Sequence, residues 1–319
     1  MKVFIWGCYN QGNFGDDLMG IVFSKLFQNE GCEVACYRLS KSLSDKYSIP
    51  TTSSVAEAMD WCDIVVIGGG AFFKQEHETH SMINSDIKAL SAEIEKSNKK
   101  LYCISVGSDN VDGKHQLFQP RKSIIESKNF SGGSVRISGD ISKLELKNVE
   151  FIEDIILTTP ILLKHLGLSD ELHESILDGK YVVNFSKKNF LKSIFNPSCW
   201  RYLLNGVYFK SHDSDSGIKS EMHIPFIKFY ENKDPILSSF ALSRAKGVIS
   251  TKLHVGVAAS SFGVGFKSIY GNDKTKVFLG QSSAILEKVD GFYALKDLEK
   301  QKEILDKYLV LIKKIVDSK

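Results

Sequence analysis

Short segments that are apolar almost throughout, and that end at a glycine or a polar residue, recur along this chain. In its first half they alternate with segments of helical spacing at residues 18–29, 55–60 and 83–97. The apolar segments are residues 3–6, 33–39, 63–67, 101–106, 133–137 and 149–152. Strands that are apolar on both faces occur in parallel sheets covered by helices on both sides. The alternation therefore predicts an α/β fold that binds ligands at the carboxyl ends of its strands.

The alternation is interrupted once. Residues 169–179 are polar and are interpreted as a linker, and a second α/β set begins at residue 181. With 319 residues the chain is long enough for two domains of ordinary size. We predict an N-terminal α/β domain over residues 1–165, a C-terminal α/β domain over residues 180–294, and a last helix within residues 295–319.

Composition narrows the class of protein. The chain is 43% hydrophobic and 25% charged, which is typical of globular proteins, and its net charge of +3 gives no electrostatic case for nucleic acid. No apolar run approaches the length of a membrane span. The six cysteines lie mostly in apolar segments, which predicts reduced thiols and a cytoplasmic location.

The last helix carries many lysines, which is typical of helices that lie on a membrane surface. Its charges alternate in sign, however, and this favours a helix that docks on the protein itself.

The stretch from Gly247 to Ser260 has the strongest chemical signal. A buried strand, residues 247–250, leads through Thr251, the predicted N-cap, into a helix whose first turn carries Lys252 and His254. Unpaired N–H groups at a helix N-terminus favour an anion, and this lysine and histidine add a cation and a titratable group. The alternative is a core strand and helix, with Lys252 solvated and His254 bonded to a backbone carbonyl.

Two glycine-rich loops follow strands in the first half. One holds Gly7, Gly12 and Gly15 before the first helix, and the other is Gly68–Gly70. Glycine lets the backbone approach a ligand closely, although neither loop has the dinucleotide fingerprint or a Walker lysine. In the first loop, Asp16 can instead serve as a helix cap.

Arg136 lies within a short apolar strand in a chain that has five arginines and 36 lysines. An arginine in this place is either a structural ion pair or a ligand for an anion, and taken alone it favours the ion pair. His77 and His80 follow the second glycine loop, but a polar His-x-x-His in a loop is weak evidence for a metal. We predict no metal site.

Taken together, the motifs have a recognisable order. They are the Gly7-x-x-x-x-Gly12-Asn13-Phe14-Gly15-Asp16 loop, Gly68–Gly70, Val135-Arg136, residues 151–154 and residues 250–254. In this order they resemble the polysaccharide pyruvyl transferase family over roughly residues 3–280. No single motif carries the resemblance; the shared order does.

The resemblance implies two Rossmann-like domains facing across a cleft, as in GT-B glycosyltransferases, with the last helix packed back on the first domain. It implies transfer of pyruvate from phosphoenolpyruvate to a sugar of a surface polysaccharide precursor, forming a ketal and releasing phosphate. The expected partners are phosphoenolpyruvate as donor, with no cofactor besides it, and a lipid-linked sugar acceptor at the inner face of the cell membrane.

The resemblance also implies roles for residues. His254 would be the acid that protonates the departing phosphate, and Asp16 the base on the sugar hydroxyl. Arg136 and Lys252 would hold the carboxylate and phosphate of the donor. The other expected substrate-binding residues are Gly12, Asn13, Gly15, Gly68, Gly69, Gly70, Leu253, Tyr270 and Lys276.

The chain departs from the family pattern in three places, the first being Ile137, where an acidic residue often follows the family's Val-Arg. The family has Arg-Leu-His where this chain has Lys252-Leu253-His254, and lysine holds phosphate without the bidentate fork of arginine. The family's Tyr-Asp-x-Lys is stretched here, so that either Lys274 or Lys276 matches its lysine. Two alternatives therefore stay open: a GT-B-type glycosyltransferase that uses a nucleotide-sugar, and a non-catalytic relative that acts in polysaccharide assembly.

Overall fold

A computed structural model of the protein describes residues 1–9, 11–76, 81–109, 111–168, 174–212, 228–271 and 273–318. The contacts divide the chain into two compact units. The first unit is Met1–Asn10, Met19–Ile155 and Ile304–Lys319, and the second is Gln11–Leu18 and Ile156–Glu303. Each unit therefore contains a segment that is distant in sequence from the rest of it.

The described part of the first unit contains a parallel sheet of seven strands. These are β1 (Lys2–Trp6), β2 (Glu33–Tyr37), β3 (Thr51–Thr52), β4 (Ile64–Gly68), β6 (Lys100–Val106), β8 (Phe130–Val135) and β9 (Val149–Phe151), in the order β3-β2-β1-β4-β6-β8-β9. Two short strands, β5 (Phe73–Lys74) and β7 (Ser108–Asp109), pair separately. In β1 the residues Val3–Trp6 are buried, and in β4 all five residues are buried. Both strands are therefore covered on both faces, as the sequence predicts for central strands.

Helices cover this sheet. They are α1 (Phe14–Asn29), α2 (Lys41–Tyr47), α3 (Val55–Trp61), α4 (Ser81–Lys96), α5 (Gln119–Glu126) and α6 (Gly139–Lys143). The strand expected at residues 133–137 begins earlier, at Phe130, because Gly132 and Gly133 continue the strand at positive φ and lie against the carbonyls of Asn148 and Cys103. Propensity alone disfavours such a glycine pair in a strand.

The described part of the second unit contains another seven-stranded sheet. Its strands are β10 (Tyr181–Asn184), β11 (Gly206–Lys210), β12 (Lys228–Glu231), β13 (Gly247–Ser250), β14 (Phe266–Ser268), β15 (Glu287–Val289) and β16 (Phe292–Ala294), in the order β12-β11-β10-β13-β14-β16-β15. The first five are parallel, and β16 runs antiparallel to both β14 and β15. The predicted fold class of two Rossmann-like α/β units is confirmed.

The remaining helices are α7 (Thr159–His165), α8 (Lys187–Ile194), α9 (Pro197–Leu204), α10 (Pro235–Ser243), α11 (Leu253–Ser261), α12 (Asp273–Gln281) and α13 (Leu298–Asp317). From Ile304 onward, α13 packs its apolar face into the first unit. Tyr308 is fully buried there, and its hydroxyl donates to the Glu153 carbonyl at 2.8 Å. Among the described residues, no helix is both long enough and apolar enough to cross a bilayer.

Candidate functional site

The strand β13 and the helix α11 carry Lys252 and His254 as the sequence predicts, but the cap differs. Lys252, not Thr251, is the N-cap, and its side chain makes no capping hydrogen bond. The Thr251 hydroxyl turns instead to the Asn184 carbonyl at 3.4 Å, so the predicted Thr251 cap is wrong. Lys252 and His254 are both partly buried, and the helix N-terminus beside them has the partial positive charge that favours an anion.

A buried polar network that the sequence did not predict fixes this loop. Asn184, at the carboxyl end of β10, is fully buried and donates to the Phe209 carbonyl at 2.7 Å and to the Ser211 hydroxyl at 3.0 Å. Its Oδ1 lies 2.9 Å from the Ser250 hydroxyl, which accepts the Lys252 N–H at 2.8 Å. Asn184 thus ties together the carboxyl ends of β10, β11 and β13 in the second unit. The sequence signal that could have indicated this network is a single asparagine at the end of an apolar strand.

His254 lies directly against the backbone of Gly15. A Cβ built on Gly15 would overlap with the Nδ1, Cγ and Cβ atoms of His254. Gly15 is in the first turn of α1, and the preceding Phe14 donates its N–H to the Ser211 carbonyl at 2.9 Å. Only glycine at position 15 leaves room for the imidazole, so two motifs separated by more than two hundred residues meet within one unit.

The predicted base, Asp16, belongs to the same turn. Its Oδ2 accepts a hydrogen bond from Asn13 Nδ2 at 2.5 Å, and its side chain is buried. Gly12 has a φ of +58°, a left-handed conformation that favours glycine and turns the chain toward α1. These loop residues are therefore grouped with His254, while their predicted contacts with substrate stay predictions.

The predicted Tyr270 and Lys276 line a cavity of about 820 Å³ in the second unit. Lys267 and Lys288 line it too, over the rings of Phe292 and Tyr293. No acidic residue lies among the described lining residues, so the cavity favours an anion. It lies beyond β14, whose next residue, Ile269, donates to the Ser250 carbonyl at 3.2 Å. Because β13 and β14 are parallel neighbours, the cavity opens at the sheet edge that also carries Lys252.

The glycines of the Gly68–Gly70 loop lie in the first unit and have a different environment. A Cβ on Gly68 would lie 2.7 Å from the Tyr9 hydroxyl, and a Cβ on Gly69 would overlap with Met19. Tyr9 is buried and donates to the Gly68 carbonyl at 2.7 Å. Packing inside the unit therefore explains the missing side chains at 68 and 69, and a ligand contact is not needed to account for them.

Arg136 also lies in the first unit, and it forms the ion pair that the sequence offered as one of two interpretations. Its Nη1 lies 2.8 Å from Asp154 Oδ2, and the two side chains are 5% and 0% exposed. Tyr308 lies in the same surroundings, where burial raises its pKa above the usual range and the nearby Asp154 charge raises it further. Arg136 as a donor ligand stays a prediction.

A second buried arginine was missed by the sequence interpretation. Arg121, on α5, is 1% exposed and donates to the Phe72 carbonyl just after the Gly68–Gly70 loop. Its Nε and Nη2 atoms are buried without a hydrogen-bond partner. Burial without a carboxylate lowers its pKa to about 10. Position 121 follows a proline in a polar helix turn, so nothing in the local sequence marked it as buried.

The predicted site residues thus fall into two groups. The second unit holds Gly12, Asn13, Gly15, Asp16, Lys252, Leu253, His254, Tyr270 and Lys276, and the first unit holds Gly68, Gly69, Gly70 and Arg136. The side chain of Lys274 and the residues His77 and His80 lie outside the described residues, so their interpretation is untouched.

Comparison with known proteins identifies the fold. The chain is similar to the UDP-GlcNAc 2-epimerase of Methanocaldococcus jannaschii in complex with UDP-GlcNAc and UDP, with a TM-score of 0.58 and 11% identity over 97% of this chain and 100% of that one. Similar structures include the UDP-N-acetylglucosamine 2-epimerase from Rickettsia bellii (TM-score 0.54, 11% identity, 100% and 98% covered) and the Neisseria meningitidis enzyme bound to UDP-GlcNAc (TM-score 0.53, 10% identity, 97% and 92% covered). No model of a known protein family matches the chain, and no curated protein does.

At this level of identity the likeness establishes the fold alone. The chain has a GT-B-like fold, as the resemblance to the pyruvyl transferases implies, and it shares this fold with enzymes that handle nucleotide-sugars.

Proposed function

We propose that the protein is a pyruvyl transferase that moves pyruvate from phosphoenolpyruvate to two hydroxyls of a sugar. The observation that carries the proposal is the packing of His254 against the backbone of Gly15, beside Lys252 and the N-terminus of α11. A titratable ring held against backbone at a cationic helix end suits a group that meets a phosphate and gives it a proton.

The reaction balances with the groups available. One sugar hydroxyl attacks C2 of phosphoenolpyruvate while its methylene carbon takes up a proton, and the second hydroxyl closes the ketal as the C2–O bond to phosphate breaks. The two hydroxyl protons end on the new methyl group and on the phosphate. His254 protonates the departing phosphate, and Asp16, oriented by Asn13, accepts a proton from the sugar.

Charge at the same sheet edge supports an anionic donor. Lys252 and the N-terminus of α11 supply positive charge next to His254, and Lys267, Lys276 and Lys288 supply it in the neighbouring cavity. These are five positive groups, more than the carboxylate and phosphate of one phosphoenolpyruvate need. The groups that the donor does not contact bind an acceptor that carries phosphate.

The direct test is the release of phosphate from phosphoenolpyruvate with a panel of sugar-diphosphate-lipid analogues. We expect release that depends on the acceptor and is lost in His254→Ala. A ketal on the acceptor, detected by mass spectrometry, separates transfer from hydrolysis. Absence of release with every acceptor, from protein that is folded, would contradict the proposal.

A second candidate is an enzyme that acts on a nucleotide-sugar, and the similarity to UDP-GlcNAc 2-epimerases over nearly the whole chain favours it. It predicts binding of UDP and turnover of a UDP-sugar without phosphoenolpyruvate. The same protein preparation tests both candidates. Tight binding of phosphoenolpyruvate with no turnover of either donor would point instead to a non-catalytic role in polysaccharide assembly.

A further inference from the structure

Two adjacent helices of the second unit, α8 and α9, have an unusual outward surface. Eleven large apolar side chains of the described residues are strongly exposed, and four of them lie within residues 191–204. They are Leu191 at 43%, Phe195 at 84%, Trp200 at 51% and Leu204 at 75% exposed. Single exposed apolar residues need no explanation, but a cluster of this kind marks an interaction surface.

Helical spacing places the exposed residues of each helix on one of its faces. Residues 188, 191, 192 and 195 follow i, i+3, i+4, i+7 spacing along α8, and residues 197, 200, 201 and 204 repeat it along α9. The opposite faces of the two helices are buried in the core of the unit, through Phe190, Ser193, Cys199, Tyr202 and Leu203. The outward faces are therefore set by the fold.

The charged side chains of α8 and α9 themselves are all positive. No aspartate or glutamate occurs between residues 179 and 212, whereas Lys188, Lys192 and Arg201 lie on the outward faces. Neither lysine forms an ion pair with a described residue. Arg201 stacks on the Tyr202 ring, with its Cζ atom 4.5 Å from the ring centroid. The negative charge of Asp290 also acts on the Arg201 guanidinium. The surface therefore combines exposed aromatics with two lysines that have no ion-pair partner in the described part of the chain.

We propose that the α8–α9 surface, defined by Lys188, Leu191, Lys192, Phe195, Trp200 and Leu204, docks on an anionic phospholipid membrane. Aromatic side chains enter the interface between headgroups and acyl chains, while lysines bind the negative leaflet. The Trp200 indole N–H is already satisfied by the Ile194 carbonyl at 2.7 Å, so its ring enters without leaving a polar group unpaired.

The surface is also connected to the lysine-lined cavity. Asn196, between Phe195 and the start of α9, donates to the Tyr270 hydroxyl at 3.1 Å, and Tyr270 lines the cavity. A membrane on α8–α9 would therefore lie close to a site suited to a phosphate-bearing headgroup. In the proposed function this geometry presents a lipid-linked acceptor, whereas docking itself does not depend on pyruvyl transfer.

The last helix provides a matched alternative on the same chain. α13 also carries exposed Leu298 and Val310, but its charges are mixed: Lys300 pairs with Glu303 and Lys302 with Glu299. Its apolar face is used in packing within the protein. The sequence already favoured docking of α13 on the protein over a membrane surface, and the burial of its apolar face agrees with that interpretation.

Sedimentation with vesicles tests the proposal without any substrate, so its failure is distinguishable from failure of the proposed function. We expect the full chain to bind vesicles of phosphatidylcholine mixed with phosphatidylglycerol at least about tenfold tighter than phosphatidylcholine alone, and salt to weaken this binding. Phe195→Ser with Trp200→Ser should weaken it by roughly tenfold per residue. Lys188→Gln with Lys192→Gln should weaken it about fivefold per residue.

The matched controls are Leu298→Ser with Val310→Ser, and Lys300→Gln with Lys302→Gln, all on α13. We expect them to bind as the wild type does. Equal urea midpoints exclude misfolding, and quenching by lipids brominated in their acyl chains should disappear in Trp200→Phe while binding persists. Unchanged binding of the Phe195/Trp200 variant, or loss in the α13 controls, would overturn the proposal. So would self-association without lipid that the Phe195/Trp200 variant abolishes, since the surface would then be covered by a second copy.

Discussion

Gly15 and Gly69 belong to the two glycine-rich loops that the sequence marks as ligand sites. At both positions a neighbouring residue occupies the space that a side chain would need, but the two neighbours differ in chemistry. At Gly69 the space is filled by Met19, and at neighbouring Gly68 by Tyr9, both buried residues of the same unit. At Gly15 it is filled by His254, a partly buried ring that can carry a proton. The same residue type thus serves core packing in one place and the positioning of a titratable group in the other.

The difference teaches that a glycine-rich loop after a strand is not by itself evidence of a ligand. What distinguishes the two loops is the chemistry of the side chain that occupies the space. An apolar or fully bonded occupant accounts for the glycine, whereas a partly exposed histidine beside a helix N-terminus offers reactivity.

The largest effect is expected from replacing His254, the side chain that packs against Gly15. His254→Ala should lower kcat for phosphate release by roughly 10²–10⁴-fold, the usual contribution of a general acid. Binding of phosphoenolpyruvate should weaken much less, because the lysines remain. Thermal unfolding should be nearly unchanged, since the ring is only partly buried. A variant that retains its activity but melts several degrees lower would make His254 structural and remove the contrast.

The corresponding change at the other loop should affect stability. Tyr9→Ala removes a buried ring and its bond to the Gly68 carbonyl, and we expect a loss of about 3–5 kcal/mol in the free energy of unfolding, measured by urea denaturation. Tyr9→Phe is the matched control and should lose about 1–2 kcal/mol through the hydrogen bond. Full stability of Tyr9→Ala with lost activity would indicate that this loop also binds substrate.

Gly15→Ala sharpens the comparison at a single atom. The added methyl overlaps with the imidazole, so we expect kcat to fall by about tenfold or more, because small misplacements of catalytic groups are costly. Gly139→Ala is the control, since this glycine also opens a helix and a Cβ there meets nothing within 4 Å. Equal activity of both variants would mean that the position of His254 does not matter.

The smallest effect is expected at Lys252. Because this residue departs from the family's arginine but keeps its charge, Lys252→Arg should leave kcat within a few-fold and alter KM for phosphoenolpyruvate only slightly. Lys252→Gln should raise KM by about tenfold or more, since a bond to a charged group contributes about 1.5–3 kcal/mol. Identical KM values for Gln and Arg would exclude Lys252 as a donor ligand.

Much of the fold was predictable because it depends on local patterns. Continuous apolar strands identified β1, β4, β6 and β13, and the helical period identified α1 and α13. The missed features depend on contacts that are distant in sequence. Threonine is a residue type that commonly caps helices, but the Thr251 hydroxyl donates instead to the Asn184 carbonyl at the end of another strand.

The candidate site divides in the same way. The Lys252–His254 turn was predicted from local signals. The packing of His254 against Gly15 could not be predicted, because a glycine in a sequence does not indicate which side chain will occupy the space beside it. Arg121 shows the reverse: its helix turn is polar, and only the tertiary structure buries it. The exposed faces of α8 and α9 were not identified from the sequence, because tertiary packing decides which faces of the two helices stay exposed.

The composition of the first unit has a consequence for synthesis of the protein. Most of this unit is translated before the second unit, yet its buried Tyr308, Ile312 and Ile315 belong to residues 304–317 of α13. While the ribosome is still making the second unit, the surface that receives α13 has no partner and exposes apolar area to water. Domains usually fold as they emerge, N-terminal first, but this order is not available here. The unit that starts first can be completed only after the second unit and residues 304–317 of α13 have been made, so its core stays incomplete throughout that interval.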